Sequence, residues 1–452
     1  MSRRFFYILS KMQKFFTKKF FLPLSVFLFF SCVTMADYDF SSIDRFVKTG
    51  KFLEAQGALE NEAGYIYSDR DTLLFNLDTG ILNHFAGEFN ESNYKLSLAE
   101  KLCAEYSADS FFQSVASAVT NDNVKDYSGE AFEDIYTNIF MALNYIHLGK
   151  IEDGMVEVRR FDNKLKLLQQ KYETLCKNTD SESDVKVKKV SIQFSDSALA
   201  RYLSLLLYRT EGDLGNAEVD YKFIYKAFEK QKSLYDFPVP SCVKDELSVP
   251  ANKGRLNVLV FTGNAPVKKE EVIRAYWSSD VWYKLALPVM EKRSSYITSV
   301  RVKATNLKSN STFYFPAEKI ESIENIALDT FRQKKSVIYA KALARSIARS
   351  VSNTFINTMA ENAQKSDDSS VALFFTLLDI TSKVTTEVVE RADVRSSRYF
   401  PSEARAAGFN LEKGDYSVTV EYFHGSRVVF SETKNISVRP KSLNLVESVC
   451  LR

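Results

Sequence analysis

The chain has 452 residues, with 60 Lys and Arg against 57 Asp and Glu, and 45% of it is hydrophobic, enough for two or three well-filled cores. Its 15 Gly and 9 Pro exclude collagenous and low-complexity classes, and 3 His with 5 Cys leave little material for a metal enzyme or a disulfide scaffold.

The N-terminus reads as an export signal. Residues 1–31 hold Arg3, Arg4, Lys11, Lys14, Lys18 and Lys19 and no acid, and the apolar run Phe20 to Phe30 is broken only by Pro23 and Ser25. That run suits the apolar core of a signal peptide, whereas a full membrane span needs about 20 apolar residues. It ends Leu28-Phe29-Phe30-Ser31-Cys32, which resembles a lipobox with Phe29 where Leu is usual. Cys32 is therefore the expected acylated N-terminus, giving stable membrane anchoring, with residues 32–39 as a tether. Two alternatives stay open: cleavage after Ala36, following Thr34-Met35, and an uncleaved anchor. Processing at Cys32 removes six positive charges and turns the net charge of +3 into −3. The remainder is uneven: residues 33–240 hold 23 basic and 34 acidic side chains, residues 241–452 hold 31 and 23. Such a shift is expected of two domains with different surroundings.

From about 40 to 235 the pattern is helical. A unit recurs there: Gly, then an apolar residue two places on and a small residue five places on, at Gly50/Phe52/Ala55, Gly87/Phe89/Ser92, Gly149/Ile151/Gly154 and Gly212/Leu214/Ala217. In a helical hairpin the Gly ends the first helix in a left-handed conformation, and the small residue lets the second helix pack closely. The unit resembles the tetratricopeptide turn, although spacings of 37, 62 and 63 residues make the array irregular; an unrelated helical bundle is the alternative. Ser128 is the expected cap of the longest helix, running to about His147, with Glu130, Glu133 and Asp134 complementing its positive end. The mixed charges Glu157, Arg159, Arg160, Asp162, Lys164 and Lys166 read as a solvated face, and residues 177–190 as a loop.

Pro238, Pro240 and Pro250 mark a linker over 236–253, and residues 254–452 read as a separate α+β domain. Strands are expected at Arg255 to Phe261, Trp282 to Leu287, Ser299 to Ala304, Ser311 to Phe315, Tyr416 to Phe423, Arg427 to Glu432 and Ser442 to Val449. Helices are expected at Glu318 to Thr330, Val337 to Ala360 and Ser370 to Glu390. His424-Gly425 signals a hairpin. Lys334, Lys341, Arg345 and Arg349 share one helix face and form a candidate stripe for an anionic partner, a lipid or a cell-wall polymer; a solvated face, or pairing with acids elsewhere in the fold, is the alternative. Arg391, Asp393, Arg395 and Arg398, with Arg405 nearby, form a second basic cluster in which Asp393 can order an Arg.

The runs Gly129-Glu130-Ala131-Phe132-Glu133-Asp134, Ala142-Leu143-Asn144-Tyr145, Val158-Arg159-Arg160, Ala344-Arg345-Ser346-Ile347-Ala348-Arg349 and Arg391-Ala392-Asp393-Val394-Arg395 together resemble a family of bacterial envelope lipoproteins with tetratricopeptide-like helices; at Val394 the family has Thr. The resemblance implies an envelope location and, because some relatives are encoded near lipoprotein activators of penicillin-binding proteins, a cell-wall setting. It implies no activity.

No Walker loop, GxGxxG, HExxH, GxSxG or CxxC occurs. His84, His147 and His424 lie far apart in sequence, and Cys103, Cys176, Cys242 and Cys450 stand in no nucleophile signature, so they read as buried or paired. The expectation is an α+β protein without catalytic residues, metal or cofactor, anchored at Cys32 on the periplasmic side of the outer membrane. It would engage envelope proteins through its helical repeats and would not bind nucleic acid. A lipid- or polymer-binding accessory protein is the second reading, and a hydrolase acting on envelope material the third.

Overall fold

The computed structural model describes residues 38–112, 125–182, 186–187, 190, 192–278, 281–348, 378–379 and 392–452. Cys32, Arg349 and Arg391 lie outside them. So does the segment read as a helix over 370–390, apart from Leu378–Asp379, which form a short strand. The fold is mixed α+β, with ten helices among the described residues and one large, mostly antiparallel sheet.

The helices come as successive pairs: α1 (Ser41–Lys48) and α2 (Phe52–Asn61), α4 (Thr72–Ala86) and α5 (Phe89–Phe112), α6 (Ala131–His147) and α7 (Ile151–Glu182), α8 (Ala198–Glu211) and α9 (Leu214–Lys230), with a single-turn α3 (Ala63–Ile66) between the first two pairs. Gly50, Gly87, Gly149 and Gly212 sit at the four turns with φ of 76°, 85°, 73° and 83°. At Gly87 the amide donates to His84 O and the Glu88 amide to Asn83 O, which satisfies carbonyls that end a helix unpaired. The other three turns repeat this bond pair. The small residues do the closing: Ser92 is fully buried and donates to Gly80 O, and a Cβ on Gly80 would stand 2.6 Å from Leu96 Cδ2.

Seven strands form the sheet in the order β10 (Arg427–Val438), β9 (Gly414–His424), β5 (Ser299–Asn306), β6 (Thr312–Ser322), β8 (Glu403–Glu412), β2 (Lys253–Thr262), β11 (Asn444–Cys450); only β11 and β2 run parallel. Each face feeds a different core. Leu256, Val258 and Val260 of β2 join Val302, Val418, Val420 and Tyr422 in a core of sheet residues. Leu259 and Phe261 enter the core of the helices together with Ile320, Ala404 and Ala406. Burial on both faces explains the uninterrupted apolar run Val258 to Phe261 within β2. A second antiparallel hairpin, β3 (Val267–Ser278) with β4 (Val281–Glu291), stands apart from the sheet, and β1 (Lys186–Val187) pairs with β7 (Leu378–Asp379).

Several expectations are corrected. Glu318 to Ser322 is not helical; it continues β6 and pairs with β8, the ladder bonds outweighing local helix preference. α10 then runs unbroken from Ile323 to Ala348, because the polar stretch Arg332 to Lys335 consists of good helix formers. β3 and β8 were not expected: Lys268, Lys269, Glu270 and Glu271 mask the alternation of the first, and Ala404, Ala406, Ala407 and Gly408 are poor strand formers in the second. The loop expected at 177–190 begins as helix, since α7 continues to Glu182, and α7 rather than α6 is the longest helix described. Its mixed charges are a solvated face only in part: Arg159, Arg160 and Lys166 are exposed, whereas Glu157 is buried and Lys164 pairs with Glu100 and Asp134. The cap of α6 is Glu130, not Ser128, in a reciprocal box with Glu133.

Candidate functional site

The densest polar chemistry lies where the helices meet the sheet and the segment 392–402. Glu130 and Glu133 open α6. Glu130 is buried and receives Lys268 Nζ of β3 at 2.8 Å and Lys334 Nζ of α10 at 3.4 Å. Burial opposes its charge, but the two ammonium groups outweigh burial and hold its carboxyl below the usual range. Glu133 accepts from Tyr127 Oη at 2.6 Å, from the Glu130 amide at 2.8 Å and from Ser397 N at 2.6 Å. Complete burial, followed by the charge of Glu130, still pushes it up to about 7.

The basic cluster finds its partners here. Asp393 takes Arg395 at both oxygens, 2.9 and 3.0 Å. Against the opposing effect of burial, Lys268 and Arg395 hold it at about 2. Arg395 also reaches Asp71 at 3.0 Å, and Arg398 reaches Asp44 at 2.5 Å with its guanidinium 4.3 Å from the Phe40 ring. The Ser397 hydroxyl and the Arg398 amide donate to Asp78, which also accepts from Tyr67. Phe400 seals the segment between Phe132 and Phe140. Arg405 pairs instead with Glu403 on its own strand. Acids of the helical region, Glu130, Asp71 and Asp44, thus face bases from the sheet-bearing half of the chain.

Of the candidate stripe, Lys334 is engaged with Glu130 and the Gly129 carbonyl. Lys341 and Arg345 lie on α10, where the backbone alone is described. The four described cysteines, Cys103, Cys176, Cys242 and Cys450, are buried and none is in a disulfide. Burial, the main cause in each case, raises the thiols of Cys103, Cys242 and Cys450, which disfavours the nucleophilic thiolate.

Three glutamates complete the seam. Glu447 of β11 bridges His84 Nε2 of α4 at 2.7 Å and His147 Nε2 of α6 at 2.9 Å. Asn144 gives its amide nitrogen to Ser92 and Asn93, so its oxygen faces His84 Nδ1 at 2.7 Å. Both nitrogens of His84 therefore face oxygens, Nδ1 that of Asn144 and Nε2 that of Glu447. Burial works against the Glu447 charge, but the two imidazoles hold its carboxyl far below the usual range. Glu321 of β6 accepts from Tyr136 and Ser197 hydroxyls on one oxygen, and from Leu199 N and Tyr235 Oη on the other. Burial raises it despite these four donors. Glu246, after a short 3-10 turn at Ser241–Asp245, is fully buried against Arg209, Arg255, Asn257 and Tyr202.

Sequence reasoning missed the His84–Glu447–His147 bridge. One signal was available: a Glu between apolar residues in Asn444-Leu-Val-Glu-Ser-Val-Cys450 needs a partner wherever both strand faces are covered. Among the described residues no group of three or more His, Cys, Asp or Glu is arranged to hold a metal ion, and no helix is long and apolar enough to cross a membrane. Comparison of the chain with protein-family models, with curated proteins and with solved structures returned no match.

Proposed function

We propose that this protein is a lipid-anchored envelope protein that acts as an interaction scaffold, in the setting of cell-wall or envelope assembly. Its helical pairs act as a degenerate tetratricopeptide-like array that offers a protein-binding surface, as stacked hairpins do. The observation that carries this reading is the repeated turn: four glycines with φ between 73° and 85°, each followed five places on by a small residue, of which Ala55, Ser92 and Ala217 are fully buried. The resemblance to envelope lipoproteins and the basic, apolar N-terminus ending at Cys32 support the location. The reading assigns no catalytic residue.

The test begins with metabolic palmitate labelling, which Cys32→Ala should abolish; label retained by that variant removes the anchor. In-cell crosslinking and purification from envelopes should then recover one defined protein partner. Exposed changes on the helices, Leu214→Asp and Tyr225→Asp, should lose that partner while changes on the sheet keep it. Recovery of lipid or glycan alone would overturn the scaffold.

A further inference from the structure

We propose that the turn between α1 and α2, together with the β9–β10 hairpin tip and Tyr296, forms a surface that lies on the anionic lipid headgroups of the membrane holding the Cys32 anchor; this rests on the acylation proposed above. The segments meet through Arg452. Its guanidinium donates to Lys48 O at the end of α1 and to Val429 O of β10, and stands 5.2 Å from the Phe430 ring. A Cβ on Gly50 would lie 3.0 Å from the same ring. The Tyr296 amide donates to Arg452 O, and the Tyr296 ring stacks on His424 at 4.1 Å.

The assembled patch has a consistent character. Residues 45–53, 292–303 and 422–431 contain no acid. Arg45, Lys48, Lys51 and Arg427 are exposed, and the same segments carry Leu53, Tyr296 and Val428 at 54%, 48% and 43% exposure. Cations with interspersed aromatic and aliphatic side chains match the headgroup layer of an anionic leaflet, where each Lys or Arg adds to the attraction. Chain length places the patch within reach. Tyr38 lies six residue steps beyond Cys32, at most about 21 Å when extended, and the eight residues of α1 carry the chain about 12 Å further, to the patch itself.

The test uses the full-length acylated protein reconstituted in vesicles of phosphatidylcholine alone or with about 30% phosphatidylglycerol, an anionic lipid. Amide exchange in peptides covering 45–53 and 424–431 should slow by at least about fivefold in the anionic vesicles, and the effect should vanish at 1 M salt, where the Debye length is about 3 Å. Lys48→Glu with Lys51→Glu and Arg427→Glu should abolish the slowing without altering thermal unfolding, because these side chains are exposed. Equal exchange in both vesicles overturns the surface. Slowing that is independent of lipid charge and salt overturns it too and assigns the patch to a second copy of the chain. Mass spectrometry of the N-terminal peptide keeps the two readings apart. An absent acyl group overturns the anchor and this proposal with it, whereas acylated protein with unchanged exchange overturns the surface alone.

Discussion

Glu321 and Glu447 are both sheet carboxylates buried against helices, and they meet opposite ends of them. Glu321 sits at the N-terminus of α8, where the free Leu199 amide and the capping Ser197 hydroxyl point at it. A helix N-terminus receives a carboxylate directly. Glu447 lies at the last turns of α4 and α6, whose exposed carbonyl ends repel an anion. There His84 and His147, each in the last turn of its helix, meet the carboxylate. The difference shows in protonation: neutral donors leave Glu321 raised by burial, and imidazoles draw Glu447 down. The identity of the donors, more than the depth of burial, sets the sign of each site's response to pH.

The comparison can be broken most sharply at Glu447. Glu447→Leu leaves two histidines facing apolar surface and should cost about 3–5 kcal/mol in urea unfolding at pH 7, the range for losing one partner of a buried pair; a loss under 1 kcal/mol would mean that the bridge is not formed. Next in size is a third carboxylate, Glu133, raised to about 7 from an ordinary 4.5. A raised acid is at no disadvantage below pH 4.5, and its ionisation then opposes folding increasingly up to pH 7. Between pH 4.5 and 8 its contribution should therefore fall by about 3 kcal/mol, at 1.36 kcal/mol per unit. Unfolding midpoints across that range should show a decline that Glu133→Gln flattens.

Glu447 runs the other way. Because its folded pKa is depressed, its stabilisation is complete above the unfolded value near 4.5 and is lost as pH falls below it. Wild type and Glu447→Leu should converge in acid, and a constant gap down to pH 2 would contradict the imidazole assignment. The smallest effect sharpens the neutral site. Tyr136→Phe and Tyr235→Phe each remove one of four donors to Glu321 and should cost about 1 kcal/mol apiece, whereas Leu199 N and Ser197 continue to hold the carboxylate.

The elements with local signals were readable in advance. β2 announced itself as a run apolar on both faces, and the turn glycines showed where hairpins close. β8 and β3 were hidden because their strand state is imposed by neighbours rather than by residue preference. The same holds for Glu318 to Ser322, which is drawn into β6 by ladder bonds to β8. Within the site, the acidic turn at Glu130 and Glu133 was visible, but a single helix end explained it equally well; Lys268 and Lys334 are its partners from distant parts of the chain. The bridge to Glu447 was out of reach, since two histidines 63 residues apart acquire meaning only when a strand carries a carboxylate between them.

That bridge also bears on the order of events in folding. His84 and Glu447 are separated by 363 residues, and β11, which carries Glu447, is the last strand in the chain. During synthesis α4 and α6 emerge long before the carboxylate that joins them, so their histidines remain unmatched until β11 is available. Contacts between such distant residues form late, because loop closure has to precede any gain from them. A chain interrupted before β11 would lack this clasp and the parallel partner of β2. The fold is thereby clasped by a contact between elements 363 residues apart in sequence.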